Sequence, residues 1–347
     1  MKKFTFGLTT FLESGVDEAS GMISHEERLN QAIDEIVLAD QVGLDFYGIG
    51  EHHRYEYAAS APEIILAAAA KLTKHIGLGS AVTVLSSADP VRVYESFATL
   101  DLLSGGRAEI MAGRGSFIES FPLFGYELDD YQTLFTEKLD FLLKIREDAH
   151  VKWQGGKHTQ RLDGNGVYPR SKQDKLKVSI AVGGTQASIV RAAKLGLPMV
   201  LAIIGGNPIR FKPLVDLYKH YYLEAGHDEA LMEIGIHAHG MITDQNPSDL
   251  IERYFIPHHA SFKKIGQERG WQEKSKQEYL DNIKYGPLFV GGVEEVTHRI
   301  LKTIEGLGIN RFLLHTPGAL MPHEDVLKTI ELFGTKVVPV LKEKLQK

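Results

Sequence analysis

The chain contains no cysteine, which excludes disulfides, thiolate metal sites and a cysteine nucleophile and agrees with a reducing compartment. Long apolar runs are also missing. None approaches the roughly 20 residues needed to span a bilayer, so a membrane protein is not expected. There is no basic tract, and Lys plus Arg number 39 against 45 Asp plus Glu; nucleic acid is therefore not an expected partner. The amino-terminal MKKFTFGLTTF has two lysines, but threonines interrupt its apolar residues and Glu13, Asp17 and Glu18 follow. It reads as a first strand and not as a secretory signal, and a cytoplasmic location is expected. Two catalytic signatures are absent as well. With no Gly-x-Ser-x-Gly elbow, and no serine tied by a motif to a histidine and an acid, a serine hydrolase has no support. No Gly-x-Gly-x-x-Gly follows a predicted strand, so a nicotinamide dinucleotide domain is not expected.

What the chain does contain is a repeated alternation. The stretch Gly77 to Ser116 reads as one complete unit: the buried strand IGLGSAVTVL, an Asp89-Pro90 helix start, a helix with Val93, Phe97, Leu100 and Leu103 on its core face, a Gly105-Gly106 stop, and a second strand, RAEIMAGRG. Strand, crossover and strand imply a parallel sheet. The same pattern recurs through FTFGL, FYGIGEHH, VSIAVGG, PMVLAIIGG, IGIHAHGMI and RFLLHT. Eight strand candidates, each followed by a helix, argue for a closed (β/α)8 TIM barrel, with an open doubly wound sheet as the alternative. Nothing of low complexity divides the 347 residues, so a single domain is expected. The polar TQRLDGNGVYPRSKQDK reads as a surface excursion. A longer charged and aromatic insertion, at about 244–287, follows the seventh strand. It is either a lid over the site or a helical surface elaboration or dimer contact.

In a barrel the site gathers at the carboxyl ends of the strands. Four such ends here are Glu51-His52-His53, Ala81-Val82, Gly113-Arg114-Gly115 and Gly183-Gly184-Thr185. An arginine between two glycines gives a phosphate open access to a forked cation. Gly-Gly-Thr before the helix ASIVRAAKLG offers free amides and a hydroxyl at a positive dipole end. Both patterns also occur as ordinary turns. His52 is suited to acid, base or hydrogen-bonding work, or to capping backbone groups, while alternation puts Glu51 and His53 together on the other side. His237 and His239 share a face of their strand. With His52 or Glu51 they could form a metal site, but no third ligand is tied to them by spacing, so they are expected in the pocket wall and no metal is expected.

GSAVTVLSSADPVRVYESFATLDLLSGGR, Glu51-His52-His53 and AAKLGLPMVL, in this order and spacing, resemble the bacterial luciferase-like flavin monooxygenases, a superfamily of (β/α)8 barrels. The resemblance runs from Phe4 to about Pro339 with a diverged middle. It implies that Arg114, Thr185 and Ser188 hold the phosphate of FMN and that His52 lies beside the flavin and serves catalysis. It further implies a non-prolyl cis peptide at Ala81–Val82 under the flavin ring. Gly184 departs from the pattern, since bacterial luciferase has a carboxylate there, and this bears on cofactor affinity. The expected activity is a monooxygenase that takes reduced FMN from a separate flavin reductase and uses O2 to oxidise an organic substrate; light emission is not implied. The rival readings are a dehydrogenase of the same superfamily using the deazaflavin F420, and a non-catalytic flavin-binding relative. A homodimer paired through helices near the early strands, PEIILAAAAKLT among them, is expected. The substrate pocket is expected to draw on Phe6, Leu8 and the insertion.

Overall fold

The apolar runs of the sequence fold as parallel strands, with helices returning the chain between them. The computed structural model describes residues 3–16, 21–115, 117–270 and 272–346; Asp17, Glu18 and Ser116 lie outside them. The barrel strands are β1 (Thr5–Thr10), β2 (Phe46–Ile49), β3 (Gly77–Ser80), β4 (Ala108–Gly113), β5 (Lys177–Val182), β6 (Met199–Ala202), β7 (Ile234–Thr243) and β8 (Arg311–His315). Each pairs in parallel with the next, and β8 returns to β1 with Thr5 opposite Arg311 and Thr9 opposite His315. Closure of the ring selects the barrel over the open sheet.

The helices are α1 (His25–Gln41), α2 (Pro62–Ala70), α3 (Pro90–Ser104), α4 (Tyr131–Glu147), α5 (Gln186–Lys194), α6 (Lys212–Glu224), α7 (Pro247–Arg269), α8 (Lys276–Lys284), α9 (Val293–Leu307) and α10 (His323–Leu332). Their starts follow from local chemistry. The Asp89 carboxylate accepts from the amides of Val91 and Arg92 at 2.9 and 3.0 Å, and Pro90 occupies the first helical position, where its missing N–H is no loss. The insertion forms α7 and α8, starting at Asn246 and Ser275 caps.

Besides an isolated antiparallel bridge between Glu13 and Tyr57, two short strand pairings among the described residues lie beyond the eight predicted strands. His150–Trp153 and Leu162–Gly166 form an antiparallel hairpin; its second strand comes from the stretch read as a surface excursion, and its first precedes that stretch. Phe289–Gly292 adds in parallel to the outer half of β7, with Gly240 opposite Phe289. The hairpin carries almost no apolar alternation, because one of its strands, Leu162–Gly166, is largely exposed.

Apolar packing occurs in two places. A large cluster fills the space between barrel and helices, and a small one of Phe46, Ala81, Met111, Val200 and Leu313 fills the barrel axis. Gly79 makes room for the Phe46 ring: a Cβ there would stand 2.7 Å from the Glu109 carbonyl and 2.8 Å from the ring. Below Phe46, at the amino ends of the strands, buried Arg311 donates to Glu109 at 2.7 Å and to Glu233 at 2.8 Å, and its guanidinium lies 4.3 Å from the ring centre. Burial opposes the Glu109 charge, but Arg311 and Lys177 hold its carboxyl well below the usual range. A buried charge is tolerated only when paired in this way. Among the described residues no helix is long and apolar enough to cross a membrane.

Candidate active site

A cavity of about 300 Å³ opens at the carboxyl ends of the strands. Phe11, Glu51, His52, Ala81, Val82, Met111, Arg114, Tyr131, Thr185, Val200 and His237 contribute to its wall. One end is cationic and polar. Arg114, half-buried at the end of β4, donates to Gln132 Oε1 at 2.9 Å and to Ser188 Oγ at 3.1 Å. Among the described residues no carboxylate pairs with it, so its charge is available to an anion. Thr185 is the N-cap of α5, yet its hydroxyl makes no capping bond. The first amides of any helix lack intrahelical partners, and here they add to the positive character of this end. Gly184 has φ +108°, a conformation that favours glycine, and a Cβ built on Gly183 would meet nothing within 4 Å. The lip beside Arg114 is thus left open.

The opposite end is aromatic and holds His52. Its ring is buried among Phe11, Tyr57 and Phe117, with centroids 4.8, 4.5 and 4.5 Å away. Its Nδ1 stands 3.6 Å from Glu119 Oε1, too far for a hydrogen bond. Burial pushes the imidazole below its ordinary pKa, partly opposed by Glu119, so the ring is neutral near pH 7. Glu119 itself is held down at about 2: burial opposes its charge, but His52 and Arg54, the latter at 3.1 Å, prevail. A neutral imidazole can accept a proton at one nitrogen and donate from the other.

Glu51 and His53 pair with each other, as alternation implies, although Glu51 also reaches the cavity wall that His52 lines. His53 Nε2 is 2.8 Å from Glu51 Oε1, and Glu51 Oε2 accepts from the Val84 amide at 2.8 Å. The pair thereby ties the His52 turn to the chain after β3. Between the two ends of the cavity runs the floor of Ala81 and Val82, whose shared peptide bond is cis, as the resemblance implies.

Of the residues expected at the site, His52, Ala81, Val82, Arg114 and Thr185 line the cavity. Ser188 stands behind, in contact with Arg114, and Gly184 sits beside Thr185 at the start of α5. His237 is in the wall, whereas His239 points to the insertion, 6.4 Å from His258 and 5.6 Å from Phe262. Among the described residues no group of three His, Asp or Glu is arranged to hold a metal ion. Phe6 and Leu8 are corrected: both belong to the cluster between barrel and helices, and the wall residue is Phe11, just past β1. Because faces alternate along a strand, a choice wrong by one residue selects the outer layer. Phe11, Glu119 and Tyr131 carry no motif and were missed; Phe11 alone had a signal, its odd-numbered place in register with Gly7 and Thr9.

A second cavity, of about 390 Å³, lies under the insertion between Ile204-Gly205, α7 and α8, with Phe255, His258, Phe262 and Tyr279 in its wall. Burial, aided by Lys274, pushes His258 down to about 3. His239 and Phe262 stand between this cavity and the barrel mouth.

The family model for luciferase-like monooxygenases matches residues 5–311. The alkanal monooxygenase alpha chain of the Kryptophanaron alfredi symbiont is 26% identical over 332 residues, covering 88% of this chain and 91% of its own length. Among solved structures, the oxygenating constituent of 3,6-diketocamphane monooxygenase from Pseudomonas putida, in complex with FMN, superposes with a TM-score of 0.76 at 19% identity, covering 97% of this chain and 98% of that one. An F420-dependent secondary alcohol dehydrogenase superposes with a TM-score of 0.74 at 20% identity, covering 98% and 99%. The closed barrel, its site at the carboxyl ends of the strands, and a family match over nearly its whole length together establish that the chain belongs to the luciferase-like monooxygenase family.

Proposed function

We propose that the protein is an FMN-dependent monooxygenase that uses reduced flavin and O2 to oxidise a small organic substrate. The observation that carries this reading is the polarity of the mouth. An arginine that pairs with no carboxylate among the described residues stands at one end, a buried imidazole in an aromatic cage at the other, and an apolar floor joins them. That donor set fits FMN: Arg114, Thr185 and Ser188 would hold the phosphate, and Ala81 and Val82 would lie under the ring. When bound in reduced form, FMN would supply the electrons and the atom that activates O2. His52 would hold or move a proton at its free ring nitrogen, and the cage of Phe11, Tyr57 and Phe117 would keep water from the reacting end.

A separate reductase would supply the reduced flavin by diffusion, and a cytoplasmic location and a single barrel domain are proposed with it. The substrate would enter from the side of the insertion, where the second cavity is apolar and aromatic. The rival is hydride transfer from F420. Absorbance spectra of the purified protein equilibrated with FMN or with F420 decide between them, followed by oxygen uptake with reduced FMN across a panel of organic substrates. Binding of F420 alone, with no substrate-dependent oxygen uptake, would overturn the monooxygenase reading.

A further inference from the structure

We propose that His237 forms a hydrogen bond with the polar edge of the isoalloxazine ring, a contact that rests on the flavin reading above and extends it to a residue no motif singles out. The ring of His237 is only 8% exposed, and neither of its nitrogens has a hydrogen-bond partner among the described residues. Of the neighbouring histidines, His52 also has an unpartnered Nδ1 but lies at the aromatic end beside Glu119, whereas two others are engaged. His53 uses its Nε2 on Glu51, and His315 uses its Nδ1 on Thr9 Oγ1 at 3.2 Å, with Nε2 3.5 Å from Glu13. A buried polar group left without any partner is strongly disfavoured, so the missing partner of His237 belongs to whatever fills the cavity it lines.

Position and size identify that occupant. His237 lies on β7 opposite Ala202 of β6, which lines the same cavity. The Phe11 ring stands between it and His52, with centroids 6.0 and 4.8 Å away. At about 300 Å³ the cavity is at the lower limit for small-molecule sites. A flavin with its phosphate against Arg114 would reach across a cavity of this size toward the His237 wall.

The chemistry also matches. The neighbours of His237 are the rings of Phe11, His239 and His315. Burial, and secondarily His315, push its pKa well below the ordinary value, so the ring is neutral. A neutral imidazole has one N–H donor and one acceptor nitrogen. The pyrimidine edge of a flavin presents carbonyl oxygens beside an N–H, so either tautomer of His237 finds a complement there.

The test is a fluorescence titration of the full chain with FMN and with riboflavin, which lacks the phosphate. His237→Leu is expected to weaken both by the same factor of about tenfold, the worth of one hydrogen bond of ordinary strength. His237→Gln, which keeps a donor and an acceptor, is expected to bind both within about threefold of wild type. Arg114→Ala provides the contrast, weakening FMN alone. If His237→Leu fails to fold, His237→Phe, matched to its aromatic neighbours, takes its place. Wild-type affinity for both flavins in the apolar variant overturns the contact. A wild-type protein that binds F420 but neither flavin overturns the cofactor reading only. The His237 contact is then judged by the same variants with F420, whose ring has the same pyrimidine edge. Binding of none of the three overturns both.

Discussion

Arg114 stands between Gln132 and Ser188 with its charge uncommitted, and the proposed phosphate site turns on that. Arg114→Ala is expected to weaken FMN by about 1.5–3 kcal/mol, as for loss of a hydrogen bond to a charged group. Thr185→Val and Ser188→Ala should each cost less, and unchanged affinity of the arginine variant on titration would remove it from the site. His52 acts at the other end, so its loss should separate from binding: His52→Ala is expected to leave FMN affinity within about tenfold while abolishing substrate oxidation. Equal loss of binding and turnover would assign it to holding the cofactor instead. Arg114 and His52 were legible in the sequence because each sits in a short string whose neighbours fix the local geometry. Glu119, which sets the charge environment of His52, was not: only the closed barrel brings the chain after β4 against the turn after β2.

Elements explain what periodicity revealed and what it hid. Helices whose starts carry cap chemistry were legible, α3 above all, and Asp89→Ala should lower stability by about 1 kcal/mol in a urea melt if its two amide bonds matter as drawn. The hairpin of His150–Trp153 and Leu162–Gly166 was hidden because a strand with solvent on most of its surface has no apolar alternation to display. Strand β7 carries a less visible property. Burial keeps His237 and His239 far below their ordinary pKa, and His258 of α7 at about 3. Unfolded, all three take up protons near pH 6.5, so below that value the unfolded state binds more protons than the native one. Stability should then be unaffected above pH 7 and fall as pH drops below about 6.5, by roughly 1.4 kcal/mol per pH unit for each histidine. Denaturant melts at pH 7.5 and 5.5 check this, and equal midpoints would show that these rings are not held neutral. The carboxylate of Glu119, held down at about 2, does not interfere in this window.

At the scale of the molecule, the barrel was legible from eight repeats of one alternation, while a dimer is implied only by the resemblance. The outer faces of α2 and α3 and the turn after α2 expose Ile64, Leu72, Leu102 and Leu103; the expectation that Leu103 lies on the core face of α3 is corrected, because that face is taken by Leu100 and Ser104 on either side of it. We propose that a second copy covers them, giving a homodimer. Light scattering at micromolar concentration should report a dimer, and Ile64→Asp should shift it to monomer; a monomeric wild type would reject the proposal.

The plug beneath the cavity has a kinetic consequence. Phe46, Met111, Val200 and Leu313 close the barrel axis, and Arg311 with its two carboxylates seals the layer below. The mouth is therefore a blind well, with one opening for every molecule that uses it. On the proposed reading the flavin lies deepest and the substrate above it, so whatever arrives last must depart first. Oxidised flavin would then exchange with the reductase only after product has gone, and added product should slow flavin release without competing for the phosphate site.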